Sequence, residues 1–444
     1  MNFQQYPLSV VRSEMVGDAP FENDKFGFEN LAVRMAGYLD RLNGGAVLSI
    51  NAQWGQGKTY FALNFSKYLE NNGTKVIYLD AFKNDYVDDP FIVLSSEISK
   101  VISKDKSSIQ KFHKKAGAVA SALLPAATKA IARLASKAIT GSANFSEEVM
   151  EEVSSALKEG GDFAGKWAED AIKRHEKEKE SFEGFREILR SYTVDVYNST
   201  NKPVIFFIDE LDRCNPIFSV KVLERIKHFF DVPNLIFILL IHKDQLENAI
   251  KGVYGNNTNA HLYLGKFLNF SFDLPWIGRS NAPLFDFCKT EFDKYRLPNE
   301  PDMHEFISVF TFFARQFSLS LREIERAVSL FVFSLPLEYD FEKLAYLIVL
   351  KIKYGNAYFK SLIERGFDSH ELAISRIKDL SRVYKQNSTR ENRDIYDELI
   401  NWHRSIISPD AQESIAYLGK VGWGQNQQFV LLDEMAKKID LTLR

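Results

Sequence analysis

Apolar residues run almost without interruption through GAVLSIN (Gly45 to Asn51), KVIYLDAF (Lys75 to Phe82), VIFFID within Lys202 to Arg213, and NLIFILLIH (Asn234 to His242). Runs this short and this continuous predict strands of a parallel sheet covered on both faces. A further short strand is expected in LNFSFDLP, Leu268 to Pro275. Between these segments the pattern turns helical. Asp24 to Leu42 is amphipathic, Phe61, Leu63, Phe65 and Leu69 recur after Lys58 with Gly73 as a helix stop, and Val220 to Phe230 forms another helix. From Pro90 to about Tyr192 the chain reads as helix of rising charge, and beyond Pro275 it is helical to its end, rich in phenylalanine and leucine.

The predicted fold class is therefore α/β, a parallel sheet flanked by helices, with a helical insertion and an all-helical C-terminal part. Residues 1–104 form the first part of the core, 105–192 the insertion, 193–280 the second part of the core, 281–362 a helical lid, and 363–444 a C-terminal helical region. Within the insertion, Ala116 to Ala143 is the most alanine-rich stretch. Lys129, Arg133 and Lys137 interrupt it, and its uncharged part is shorter than the roughly 20 residues a membrane helix needs. A soluble or interfacial helix is expected there, with no transmembrane segment.

At 444 residues and 45% hydrophobic content the chain can hold a large core, and its formal net charge of −3 leaves no whole-chain footprint for nucleic acid, although a local basic face remains open. Two cysteines, Cys214 and Cys288, are too few for a disulfide framework and have no metal-ligand spacing. With no basic, apolar leader at the N-terminus, a cytoplasmic location is expected. His113, His175, His228, His261, His304, His370 and His403 show no ligand spacing and are read as structural.

The first candidate chemistry lies where the first strand hands over to a helix, in INAQWGQGKTYF. The spacing is that of a phosphate-binding loop, G-x-x-x-x-G-K-[ST], with Ala52 in place of the first glycine. Gly55 and Gly57 can take positive φ and let backbone N–H groups converge on an anion, toward which the following helix points its positive end. Lys58 would reach the β- and γ-phosphates, and Thr59 would ligate Mg²⁺. The expected nucleotide-binding set is Trp54, Gly55, Gln56, Gly57, Lys58, Thr59 and Tyr60, with His242 at the end of a neighbouring strand as a sensor of γ-phosphate or simply a polar strand end.

The second half of such a site is a carboxylate pair. Asp209 ends an unbroken apolar run and would hold Mg²⁺ through its water shell, while Glu210 would act as general base toward the attacking water. Arg213 reads as an arginine finger for a neighbouring subunit or as the ion-pair partner of Asp212. Lys266 and Asp273 are weaker candidates. The implied cofactors are ATP and Mg²⁺.

The segments NAQWGQGKT, YLDAF, FFIDELDRCNP, FILLIHKDQLENAI, YLGKFLNFSFDLP and SLREIERAV, in this order, resemble the KAP family of P-loop NTPases from about Asp24 to Val328. That resemblance implies an additional-strand sheet, in which the strand bearing Asp209 is not adjacent to the strand before the phosphate loop. It also implies an arginine from the helical lid, Arg322, reaching toward the phosphates. The sequence departs from the family pattern at Ala52, at DAF (Asp80 to Phe82) and at HKD (His242 to Asp244). Family members often carry a transmembrane hairpin where this chain has charged, alanine-rich helices, and bacterial relatives act in mobile-element conflict and phage exclusion. The expected activity is ATP hydrolysis that switches a partner effector protein, with homo-oligomerisation open. The alternative is a scaffold that binds ATP without hydrolysing it, and a DNA motor or nuclease fits less well, since no second nucleotide-binding half or histidine metal cluster is present.

Overall fold

The computed structural model of the chain describes residues 19–102, 116 and 163–439, apart from short breaks at 23, 43, 230, 276–277, 279–280, 296–300, 335–339, 385–389 and 423–426. Most of the alanine-rich stretch of the insertion lies outside the described residues.

The chain runs α1 (Phe28–Leu39), β1 (Ala46–Asn51), α2 (Lys58–Asn71), β2 (Lys75–Asp80), α3 (Pro90–Ile102), α4 (Phe163–Thr200), β3 (Val204–Asp209), α5 (Pro216–Ile226), β4 (Leu235–Ile241), α6 (Lys243–Tyr254), α7 (Ala260–Leu264) and β5 (Phe270–Asp273). Every residue of β3 and β4 is buried, as continuous apolar strands require when helices cover both faces. The five strands pair in the order β2-β3-β4-β1-β5, all parallel. Thus β4 separates β1 from β3, the additional-strand arrangement that the resemblance implied. Because the strands are parallel, Asn51, Asp80, Asp209, Ile241 and Asp273 all end at one edge of the sheet, where α/β folds place ligands.

Alternation along the strands divides the core in two. Leu48, Ile50, Ile205, Phe207, Ile236, Ile238 and Leu240 face α1 and α2, with Phe61 and Phe65 between. Val47, Phe206, Ile208, Phe237, Leu239 and Ile241 face α3, α5, α6 and the end of α4, where Phe185 and Leu189 are buried. α4 runs without a break across residue 192 to Thr200, so the chain enters β3 directly from that helix.

The C-terminal half comprises α8 (Asn281–Asp293), α9 (Pro301–Gln316), α10 (Leu321–Phe333), α11 (Phe341–Ile363), α12 (Phe367–Tyr384), α13 (Arg390–Ile407), α14 (Gln412–Lys420) and α15 (Gln427–Ile439). These helices share one core built around Phe292, Phe306, Phe331, Tyr346 and Trp402. Among the described residues, no helix is long and apolar enough to cross a membrane.

Candidate functional site

The turn between β1 and α2 is built on two glycines in the left-handed region, Gly55 at φ 77° and Gly57 at φ 86°. At Ala52, the position lacking its glycine, the backbone N–H donates to the Ile241 carbonyl at 3.1 Å. That bond belongs to the β1–β4 ladder, so no positive φ is needed there. Lys58 is 8% exposed, and its ammonium donates to the carbonyls of Ala52 at 2.7 Å and Gln53 at 3.3 Å. Burial lowers the Lys58 pKa, against the attraction of Asp212, Asp209 and Glu210. Trp54 and Tyr60 stay largely exposed on either side of the loop, and Gln56 is buried.

Asp209 ends β3 and is 1% exposed. Its Oδ1 accepts from the Glu210 backbone N–H at 2.7 Å, its Oδ2 from the Tyr78 hydroxyl at 2.8 Å, and the Thr59 hydroxyl also hydrogen-bonds to it. Burial raises the Asp209 pKa, while these donors and Lys58 oppose the rise. The structure thus brings Lys58 and Thr59 of the loop together with Asp209, across the intervening β4.

Glu210 follows in the left-handed region, φ 60° and ψ 21°. For a residue with a Cβ this costs on the order of 1 kcal/mol, and it aims the side chain away from the strand. Burial first, then the neighbouring Asp209 charge, pushes the Glu210 pKa up to about 7. The 3₁₀ turn Leu211–Arg213 brings the Arg213 guanidinium onto the Glu210 carboxylate. Of the two readings the sequence left open for Arg213, the pairing with Asp212 is corrected, since its partner is Glu210. Asp212 instead accepts from the Trp54 indole N–H, which ties the phosphate loop to the turn after β3.

His242 caps β4 beside this cluster. Its ring meets Trp54 edge-on at 5.5 Å, and burial, followed by the Lys58 charge, lowers its pKa so that the neutral imidazole is favoured. Asn51 at the end of β1 accepts from the Lys243 N–H at 2.9 Å and donates to Asp273 at 2.8 Å, clamping three strand ends. Asp273 therefore has a structural partner, and Lys266 sits over the Tyr263 ring at 5.7 Å.

The N-terminus of α10 touches the loop directly. Ser320 caps α10 in a reciprocal capping box with Glu323, and the next amide, Leu321 N–H, donates to the Gly55 carbonyl at 2.9 Å. A Cβ at Gly55 would stand 2.8 Å from Ser320 Oγ and 3.0 Å from Arg322 Cβ, so Arg322 starts from a position against the loop. The sequence reading named Arg322 but not Ser320 or Leu321, although the S-x-x-E string of the capping box was visible. It also missed Tyr78.

The donor set fits a magnesium-bound nucleotide. Thr59 and Asp209 supply hard oxygen ligands, and among the described residues no cluster of three or more His, Cys, Asp or Glu side chains forms a metal cage. Mg²⁺ is commonly held in this way, by one or two protein oxygens together with substrate phosphates. The glycine positions are also spaces that a Cβ would fill, with Phe28 only 3.3 Å from the one at Gly57.

No curated protein matches the chain. Among solved structures, the Aeropyrum pernix ORC2 protein in its ADPNP-ADP complexes is similar at 10% identity and TM-score 0.35, covering 98% of this chain and 96% of that one. Cdc6p from Pyrobaculum aerophilum is similar at 10% identity and TM-score 0.39, covering 97% and 99%. The model of the KAP family P-loop domain matches residues 28–337. That span holds the glycine loop, the Asp209 strand and the start of the lid, and the chain belongs to the KAP family of P-loop NTPases.

Proposed function

We propose that the chain binds Mg·ATP at the β1–α2 loop and hydrolyses it to switch the conformation or assembly of a partner effector protein. The observation that carries this reading is the meeting of Lys58 and Thr59 with Asp209 and Glu210 at one edge of the sheet. In this reading the amides at Gly55 and Gly57 and the N-terminus of α2 hold the phosphates. Lys58 exchanges the carbonyls of Ala52 and Gln53 for phosphate oxygens. Thr59 and Asp209 hold the metal ion, which when bound neutralises charge on the phosphates and orients them. Glu210 receives the proton of the attacking water, a task suited by a pKa of about 7. Arg322, at the start of α10, completes the charge around the terminal phosphate from the lid side. His242 stands at the γ-phosphate end as a neutral hydrogen-bonding sensor.

Steady-state ATP turnover of the wild type and of Glu210→Gln tests hydrolysis. Turnover in the wild type with a loss of at least about 100-fold in the variant is expected. Equal, negligible rates in both would refute it.

One observation favours a second reading, a scaffold that binds ATP without hydrolysing it. The Glu210 carboxylate is engaged by Arg213 and so is held back from water. Nucleotide-dependent self-association that survives Glu210→Gln and is abolished by Lys58→Ala would support it. An effector role in bacterial defence against mobile elements extends the family resemblance, and proteins that co-purify only in the presence of ATP would test it.

A further inference from the structure

We infer that Tyr78 is a positioning residue for the magnesium carboxylate Asp209, an inference that rests on reading this site as a Mg·ATP centre. Tyr78 lies on β2 and is paired in register with Phe207 of β3, and the two rings stack at 6.3 Å. Asp209 lies two residues beyond Phe207 and so shares its face of the sheet. The tyrosine side chain reaches diagonally across the strands, a span that long side chains can cover, and its hydroxyl donates to Asp209 Oδ2 at 2.8 Å.

The geometry gives the contact a task. A carboxylate's terminal torsion is broad, so a buried aspartate turns freely unless both oxygens are held. At Asp209, Oδ1 accepts from the Glu210 amide and Oδ2 from the Tyr78 hydroxyl. The two contacts restrain the carboxylate's rotation, and the Thr59 hydroxyl of the loop bonds to the same group. Partners of this kind behind a metal ligand govern affinity for the ion more than for the rest of the ligand. Tyr78 acts through Asp209, and Phe207 holds its ring in place whether or not the hydroxyl is present.

Tyr78→Phe removes the hydroxyl and keeps the ring. Calorimetric titration of the full chain with ATP in excess EDTA, and then across a series of Mg²⁺ concentrations, separates the possibilities. The expected result is a half-saturating Mg²⁺ concentration raised about 10-fold, with metal-free ATP affinity changed by less than about twofold. Turnover at saturating ATP should recover toward the wild-type rate as Mg²⁺ is raised. An unchanged Mg²⁺ requirement would overturn the inference, even if the melting temperature falls. So would a parallel loss of metal-free and metal-dependent binding, since that is what a purely structural role predicts. A wild-type protein that binds no Mg·ATP at all would instead remove the underlying reading of the site.

Discussion

The carbonyl of Gly55, in the phosphate loop, accepts a 2.9 Å hydrogen bond from the amide of Leu321, the first residue of α10. Two segments far apart in sequence are thus joined at the point where a nucleotide's phosphates would lie. The lid helix arrives N-terminus first, its cap closed by Ser320 and Glu323 and its Arg322 next in line.

Gly55→Ala tests this contact. The new methyl must occupy a left-handed backbone and meets Ser320 Oγ at 2.8 Å and Arg322 Cβ at 3.0 Å, atoms that cannot yield unless α10 lifts. Gly73→Ala is the control, because it has a similar φ of +81° with nothing within 4 Å. Backbone strain alone costs about 1–2 kcal/mol, so Gly73→Ala should lose about that much in urea denaturation and keep its nucleotide affinity. Gly55→Ala should lose more and bind nucleotide more weakly. Equal losses in both would show that the lid does not bear on the loop.

Phe28 braces the loop from the other side. It is 1% exposed and packs edge-on against Phe61 of α2 at 6.0 Å, with its ring 3.3 Å from the Cβ position of Gly57. Phe28→Ala should cost about 3–4 kcal/mol in equilibrium unfolding, the usual range for emptying a buried phenylalanine site. A loss below about 1 kcal/mol would mean that α1 is only loosely attached to the core.

Far from the loop, His370 and His403 meet Nδ1 to Nδ1 at 2.7 Å, both fully buried. His370 Nε2 lies 2.9 Å from the Leu362 carbonyl, so it must carry the proton, which makes His370 Nδ1 the acceptor and His403 Nδ1 the donor. His403 Nε2 then accepts from the Tyr346 hydroxyl at 3.0 Å. Every member is satisfied with both rings neutral. Burial lowers both pKa values, so the folded state favours the neutral rings. The stability they contribute is present above the unfolded pKa near 6.5 and is lost as pH falls below it. Urea denaturation should show stability falling as the pH drops from 6.5 to 5.5. His228 and His242, whose pKa values are also lowered, act in the same direction. Glu210, with its pKa raised to about 7, acts in the opposite direction over the same range, so the measurement is made in Glu210→Gln, where stability that stays flat would contradict the neutral pair.

Much of the fold was legible because β3 and β4 are apolar on both faces, a pattern a helix of that length would not need. The loop and the Asp209–Glu210 pair were legible because each is a local string whose spacing is set by the chemistry. What could not be read depends on geometry between strings. The left-handed φ at Glu210 and the 3₁₀ turn after it bring residues three apart together, so Arg213 finds Glu210 and not Asp212. Tyr78 reaches Asp209 only because β2 pairs with β3 in one particular register. The capping box of Ser320 was visible in the sequence, whereas its destination, Gly55, was not. Nor could spacing pair His370 with His403, residues of two different helices.

The most direct test of the account is a calorimetric titration of the folded full chain with Mg·ATP, in the wild type and in Lys58→Ala. The wild type should give a saturable heat of binding. The variant, lacking the ammonium that now rests on the Ala52 carbonyl, should bind at least about 10-fold more weakly. A wild type without any heat of binding, or a variant that binds as tightly as the wild type, would contradict it.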